Sequence, residues 1–170
     1  IVDSTDFIKS KNNSDVLNNS YFMKGIFYCN DIINKYIGDI PVICQGFIAS
    51  SNDKYKCTLS RGGSDTTAAL ISSKINADRL EIWTDVNGIY NANPSIISDA
   101  KIINNIDYDL SQELAAMGAK IVHPYCIKPY QEKNIPIYIK NTYADNNNNT
   151  VINKKSNNDY TIMIERNVSV

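Results

Sequence analysis

The stretch Lys56–Asp85, KCTLSRGGSDTTAALISSKINADRLEIWTD, constrains the fold more than any other. Cys57 and Leu59 belong to an extended segment, and Arg61-Gly62-Gly63 interrupts it. Ser64 or Asp65 suits a helix N-cap, and the spacing predicts a helix over Thr66–Ile75. Leu80, Ile82 and Trp83 then restart a strand. Strand, helix and strand in this order predict a right-handed βαβ unit. Two glycines before a helix let the backbone approach a ligand closely. The helix end supplies unpaired N–H groups and partial positive charge. Arg61 adds a permanently charged donor fork. The combination suits an anion, a carboxylate or a phosphate; the plain alternative is an ordinary capped turn.

At 170 residues the chain is long enough for a domain with a real core. Its 43% hydrophobic and 21% charged residues fit a globular rather than a disordered chain. A net charge of −1 gives no reason to expect nucleic acid or an anionic membrane surface. No run approaches the ~18 apolar residues of a membrane span, and no signal-peptide pattern opens the sequence. Cys29, Cys44, Cys57 and Cys126 form no CxxC pair and read as small apolar residues in a reducing, cytoplasmic setting. With His123 as the single histidine, a His-rich metal site is excluded. A Ser–His–Asp site would rest wholly on His123, beside a proline in an apolar setting. Asparagines abound, as in Asn146–Asn149, and belong in turns, where they tolerate left-handed geometry.

Along the rest of the chain, residues 1–19 are polar and read as loop, and Tyr21–Tyr36 carries an imperfect helical stripe. Ile40–Ile48, IPVICQGFI, reads as an apolar strand buried on both faces, as in a parallel sheet, and Trp83 as a central core residue. Beyond Asp85, Asn87-Gly88 signals a turn and Pro94 blocks a regular element. This loop leaves the carboxyl end of a strand, where open α/β sheets bind ligands, so Thr84 and Asp85 sit where a nucleotide could be held. Strand-end capping explains the same pair blandly, and Tyr90 alone would more often be core. Ile102–Tyr108 is extended; Ser111–Gly118 reads as a helix with Ser111 as N-cap and Gly118 as its stop. Lys120 follows, then Ile121-Val122; the lysine either complements the helix dipole or points a cation into a cleft. Pro124–Glu132 is a helix ended by Lys133-Asn134, Ile135–Ile139 a strand, Lys140–Asn149 a loop and Tyr160–Ile164 a strand. There is no internal repeat, zinc spacing, Walker-type loop or GxGxxG, so any nucleotide is held differently.

The polar inventory offers cations, glycine turns and hydroxyls without a nucleophile–base pair. Phosphoryl transfer needs that set, being mainly positioning and charge neutralisation. A carboxylate acceptor needs no base, since it is ionised well above its ordinary pKa of ~3.9.

Three segments carry a resemblance. RGGSDTTAA at Arg61–Ala69, WTDVNGIY at Trp83–Tyr90 and GAKIVHP at Gly118–Pro124 resemble three motifs of the aspartokinases, in family order. Aspartokinases belong to the amino-acid-kinase fold, and the likeness runs from about Pro41 to about Ile152. It implies an α/β fold, a three-layer αβα sandwich with a mostly parallel sheet. It implies transfer of the ATP γ-phosphate to the side-chain carboxylate of L-aspartate, giving 4-phospho-L-aspartate on the way to lysine, threonine and methionine. By the family pattern Arg61 pairs with the substrate carboxylate, and Gly62, Gly63 and Ser64 help hold the amino acid. Asp65 resembles the aspartate that organises catalytic lysines, and Lys120 the lysine that meets the ATP phosphates. Thr84, Asp85, Tyr90, Lys120 and Ile121 resemble nucleotide-lobe positions. Magnesium (Mg2+) would ride mainly on phosphates and water, with no protein metal site.

The sequence also departs from the pattern. Ser60 replaces the usual glycine before the arginine, Ala49 the glycine after GFI, and Asn93-Pro94-Ser95 the usual DPR, which removes an arginine expected near the phosphates. The lysine–glycine motif that opens the family's catalytic domain is absent. The resemblance therefore implies that residues 1–152 are the C-terminal, nucleotide-binding part of that domain. Residues 153–170 would be a linker and the start of an ACT regulatory region, through which the parent would form homo-oligomers. On this reading the isolated chain has little activity. The alternatives are another kinase of the fold (acetylglutamate, glutamate 5- or uridylate kinase) or an inactive remnant acting as a subunit-contact module.

Overall fold

The computed structural model describes residues 1–11, 27–51, 54–59, 61–116, 122, 124–144 and 149–154. The chain divides into two compact units, Ile1–Ala77 and Asp78–Val170.

The first unit holds a four-stranded sheet in the order β2-β1-β3-β4, formed by β1 (Ile8–Ser10), β2 (Phe27–Cys29), β3 (Ile48–Ser50) and β4 (Lys56–Thr58). β1 runs antiparallel to β2 and parallel to β3, meeting it at Lys9↔Ser50; β4 returns antiparallel, with Ile48 opposite Thr58. Phe7, Ile8, Cys29, Ile33, Ala49 and Leu59 form its buried core. Helix α1 (Gly63–Ile75) adds Leu70, Ile71 and Ile75 to that core, an i, i+1, i+5 set on one side of the helix. Asn76 ends α1 with φ 49°, its N–H on the Ser72 carbonyl, as its tolerance of left-handed geometry predicts. Burial pushes the Cys29 thiol up to about 11, and raises those of Cys44 and Cys57 in the same direction. Protonated thiols of this kind, buried at Cys29 and half-buried at Cys44 and Cys57, fit the reading of the cysteines as small apolar residues.

The second unit holds a four-stranded sheet in the order β5-β7-β8-β6, from β5 (Leu80–Thr84), β6 (Asn105–Asp107), β7 (Ile137–Asn141) and β8 (Thr150–Asn153). β5 and β7 run parallel over five pairs, from Leu80↔Ile137 to Thr84↔Asn141. β6 and β8 are also parallel, and β8 is antiparallel to β7. Helices α2 (Tyr108–Ala116) and α3 (Pro124–Lys133) pack on each other, and Ile106, Ile127, Tyr130, Ile137, Ile139 and Ile152 are all but inaccessible. The Tyr108 hydroxyl donates to the Ile135 carbonyl at 2.7 Å, and burial raises its pKa to about 12. Asn134 stops α3 with φ 54°.

The α/β class is as expected, and three parallel pairings run through sheets that also contain antiparallel ones. Several local expectations need correction. β4 and β5, which flank α1, lie in different sheets, so they do not close a βαβ crossover within one sheet. Ile40–Ile48 is not a strand: β3 starts at Ile48, and before it only Cys44 bridges, to Val2. Ile40, Val42 and Ile43 are exposed, because apolarity alone supplies no ladder partner and Pro41 removes a donor. Within Tyr21–Tyr36, the described part is β2 and a 3-10 turn over Asp31–Lys35, since the Asn30 side chain accepts from the Ile32 N–H and starts a new element. α2 begins at Tyr108 rather than Ser111, with Asp107 Oδ1 accepting from the Leu110 N–H at 2.7 Å. Lys140 and Asn141 continue β7, and β8 lies where no element was read. Gly118 and Tyr160–Ile164 fall outside the described residues.

Trp83 is 57% exposed rather than buried. β5 is an edge strand, and on one of its faces Glu81 and Trp83 meet Lys140 of β7. Lys140 Nζ lies 2.9 Å from Glu81 Oε1 and 5.2 Å from the Trp83 ring centre, and Arg79 Nε reaches the same Glu81 oxygen at 2.9 Å. The hydrogen bond from Lys140 holds the Glu81 carboxyl below its ordinary value of 4.5. A depressed folded-state pKa means this contribution is complete above 4.5 and fades as pH falls through the lower folded value. Glu81→Gln should therefore flatten the acid limb of stability below that pH, with a loss at pH 7 of at most about 1 kcal/mol. A series of melting temperatures against pH checks this; parallel acid limbs in both proteins would contradict it.

Candidate functional site

Two clusters carry those predicted residues that are described, one in each unit. In the first, Gly62 sits at φ 73°, ψ 20° as the N-cap of α1, so the helix begins at Gly63, ahead of the expected Ser64 or Asp65 cap. A left-handed cap explains the difference: glycine turns the chain into the helix without a side-chain cap. The first helical hydrogen bond is Thr66 N–H to the Gly62 carbonyl at 2.9 Å, so the amides of Gly63 and Ser64 stand ahead of the ladder. Arg61 and Ser64 are exposed, Asp65 half-buried, and Arg61 makes no ion pair among the described residues.

A second turn is fitted against this helix start. Phe47 adopts φ 72°, an uncommon conformation for an aromatic residue. Its N–H donates to Thr67 Oγ1 at 3.0 Å, and that hydroxyl donates to the Gly63 carbonyl at 2.9 Å. A Cβ on Gly63 would lie 2.4 Å from the Phe47 ring, and one on Gly46 would lie 3.2 Å from Ser64 Cα. The RGGS turn is thus shaped by Gly46, Phe47 and Thr67, none of which the sequence reading singled out. Phe47 and Gly46 carried no signal; Thr67 carried only its place one helical turn after Gly63.

In the second unit, Thr84, Asp85 and Tyr90 surround the loop that leaves β5. Thr84 Oγ1 donates to Asp85 Oδ1 at 3.1 Å, and the Thr84 carbonyl accepts from the Thr142 N–H at 2.8 Å. Asn141, at the carboxyl end of β7 and in register with Thr84, donates from Nδ2 to the Asp85 carbonyl at 3.3 Å and to Asn87 Oδ1 at 2.7 Å. Asn87 Nδ2 then donates to the Tyr90 hydroxyl at 3.3 Å. The loop is held from inside by Thr150, which is fully buried: its hydroxyl accepts from the Ile89 N–H and donates to the Ile103 carbonyl, both at 2.7 Å. Gly88 has φ 155°, and a Cβ there would lie 2.4 Å from Thr150 Oγ1. Asn141 and Thr150 were missed; a loop reading covered the first and nothing marked the second. Asn93 Oδ1 accepts from the Ser95 N–H at 3.0 Å, so the NPS segment closes its own turn. Lys120 and Ile121 fall outside the described residues.

Each cluster is a loop at an element end, lined by hydroxyl, amide and charged groups and stiffened from behind. The described residues contain no group of three His, Cys, Asp or Glu side chains placed to hold a metal ion. None of their helices is long and apolar enough to cross a membrane.

A glycine-capped helix start in one unit and a carboxyl-end loop on a parallel pair in the other agree with what comparison finds: the chain matches the amino acid kinase family over residues 27–141 and belongs to it. Within that family it is similar to aspartokinases. It is 41% identical over 117 residues to the lysine-sensitive aspartokinase 3 of Escherichia coli (strain K12), a match covering 69% of this chain and 26% of that protein. Against the aspartokinase of Rickettsia prowazekii (strain Madrid E) the identity is 40% over 141 residues, covering 81% and 31%. Its fold matches the crystal structure of E. coli aspartokinase III in complex with aspartate and ADP (R-state) at a TM-score of 0.77 and 30% identity, over 92% of this chain and 35% of that one. The chain thus spans only about a quarter to a third of the length of these relatives.

Proposed function

We propose that this chain is the nucleotide-binding part of an aspartate kinase, which transfers the ATP γ-phosphate to the side-chain carboxylate of L-aspartate. The product would be 4-phospho-L-aspartate, the first intermediate toward lysine, threonine and methionine. The observation that supports this most is the match to a structure that holds aspartate and ADP, over 92% of the chain. In this reading residues 1–152 belong to the catalytic domain and 153–170 lead toward a regulatory region, in a cytoplasmic enzyme.

The chemistry follows from the residues. Arg61 offers its guanidinium fork to a carboxylate of the amino acid, and the Gly63 and Ser64 amides at the start of α1 add partial positive charge. The acceptor carboxylate is already ionised, so no general base is needed. Asp65 orders the cations of the site, and Lys120 neutralises charge as the phosphoryl group moves. Thr84, Asp85, Tyr90 and Ile121 hold the nucleotide. Magnesium fits as an ion carried by phosphates and water, in keeping with a donor set rich in cations and hydroxyls.

The test is an acceptor panel with the full-length protein, measuring ADP release with L-aspartate, L-glutamate, N-acetyl-L-glutamate or UMP. Release dependent on L-aspartate is expected. Faster release with any of the other three would replace aspartate by that acceptor.

A further inference from the structure

We propose that Asn141 is a positioning residue whose side-chain amide sets the direction of a hydrogen-bond relay, so that the Tyr90 hydroxyl faces the ligand as a donor. The proposal rests on the reading of the Thr84–Tyr90 loop as a nucleotide site. The direction follows from one unambiguous group. The Tyr143 backbone N–H lies 2.8 Å from the Asn141 side chain and can only donate, so the atom it meets is Oδ1. Nδ2 of Asn141 must then face Asn87, which meets it at 2.7 Å with Oδ1. Asn87 is left with Nδ2 toward Tyr90 at 3.3 Å, and an amide nitrogen only donates. The Tyr90 oxygen therefore accepts, and its hydrogen has no acceptor among the described residues. Held in this way, the hydroxyl of the half-buried Tyr90 offers a hydrogen bond to an oxygen acceptor, the group that ribose and phosphate present.

The parallel pairing of β5 and β7 fixes the start of the relay, because Thr84↔Asn141 is its last register pair. The Asn141 Nδ2 contact with the Asp85 carbonyl at 3.3 Å ties the loop to the same strand end.

Asn141→Asp distinguishes this from simple support. The substitution keeps the shape but removes the N–H. A carboxylate at 141 would still accept from Tyr143, and Asn87 would turn its amide to donate to it. Asn87 Oδ1 would then face Tyr90 and take the hydroxyl hydrogen inward. Asn141→Asp and Tyr90→Phe should each weaken ADP binding to the full-length protein by about fivefold to tenfold, the size of one hydrogen bond. Adding Tyr90→Phe to Asn141→Asp should then weaken it less than about twofold further, a non-additive cycle. Repulsion between the new carboxylate and the nucleotide acts in both backgrounds and cancels in the cycle. Thermal melting confirms that each variant is folded.

A relay-independent role for Asn141 predicts the same Tyr90→Phe effect in both backgrounds, and that result would overturn the proposal. Wild-type protein that binds no ADP would overturn the nucleotide reading instead. The relay is then judged without ligand by NMR. Cross-relaxation between the Asn87 side-chain amide protons and the Tyr90 ring should be present in wild type and lost in Asn141→Asp; persistence in the variant rejects the relay.

Discussion

Replacing Arg61 by alanine should lower kcat/KM for L-aspartate by about 10²-fold in the full-length protein, while ADP affinity changes less than about twofold. A guanidinium that meets a carboxylate in two parallel hydrogen bonds supplies charge and orientation together, and truncating such a partner costs about 3 kcal/mol. The loss should appear mainly in KM for aspartate if the pair forms equally in ground and transition states. Arg61→Lys should recover only part of it, since an ammonium cannot reproduce the planar fork. Folding should be almost untouched, because Arg61 is exposed and has no ion pair among the described residues. Steady-state kinetics with aspartate varied, alongside ADP titration, checks this. Unchanged aspartate kinetics would remove Arg61 from the substrate site.

The second large effect is on stability. Thr150→Val should destabilise the protein by about 2–4 kcal/mol, read as a lower denaturation midpoint at constant slope. The Thr150 hydroxyl satisfies the Ile89 N–H and the Ile103 carbonyl in a fully buried position. Valine fills the space, yet leaves both groups without partners and without water. Gly88→Ala should act on the same joint, by about 3 kcal/mol, because the new methyl group would lie 2.4 Å from Thr150 Oγ1 and φ 155° suits only glycine. The clash should persist in the double variant, since valine puts a methyl group where the hydroxyl was. A change below about 0.5 kcal/mol for Thr150→Val would show that the contact contributes little.

Local signals in the sequence anticipated the turns of the two candidate clusters better than the sheets around them. Gly62-Gly63 before a helix is legible because glycine adopts φ 73° at the cap without the steric cost a side chain brings. The stops at Asn76 and Asn134 are legible for the same stereochemical reason. The loop after Thr84 could be placed at a strand end because Leu80, Ile82 and Trp83 mark a strand that runs up to it. What escaped depends on pairing between distant segments. Trp83 reads as core by hydrophobicity, yet lies on the open face of an edge strand under the Lys140 cation. Ile40–Ile48 reads as a buried strand, yet Ile40, Val42 and Ile43 are exposed, and ahead of β3 only Cys44 bridges, to Val2. Asn141 and Thr150 lie 54 and 61 residues from the loop atoms they hold, at Asn87 and Ile89, and no local pattern announces such contacts. Phe47 is similar: its strained turn is set by Thr67, 20 residues away.

The central claim is that phosphate passes from ATP to the side chain of aspartate, and an acyl phosphate has a diagnostic reaction. Full-length protein would be incubated with ATP, magnesium and L-aspartate in the presence of hydroxylamine, and the aspartyl hydroxamate measured. Hydroxamate should form in step with ADP, require both ATP and L-aspartate, and fall by about 10²-fold with Lys120→Ala, if the lysine charge acts where the phosphoryl group transfers, as proposed. ADP release without hydroxamate, or hydroxamate formed undiminished by the Lys120 variant, would contradict the account.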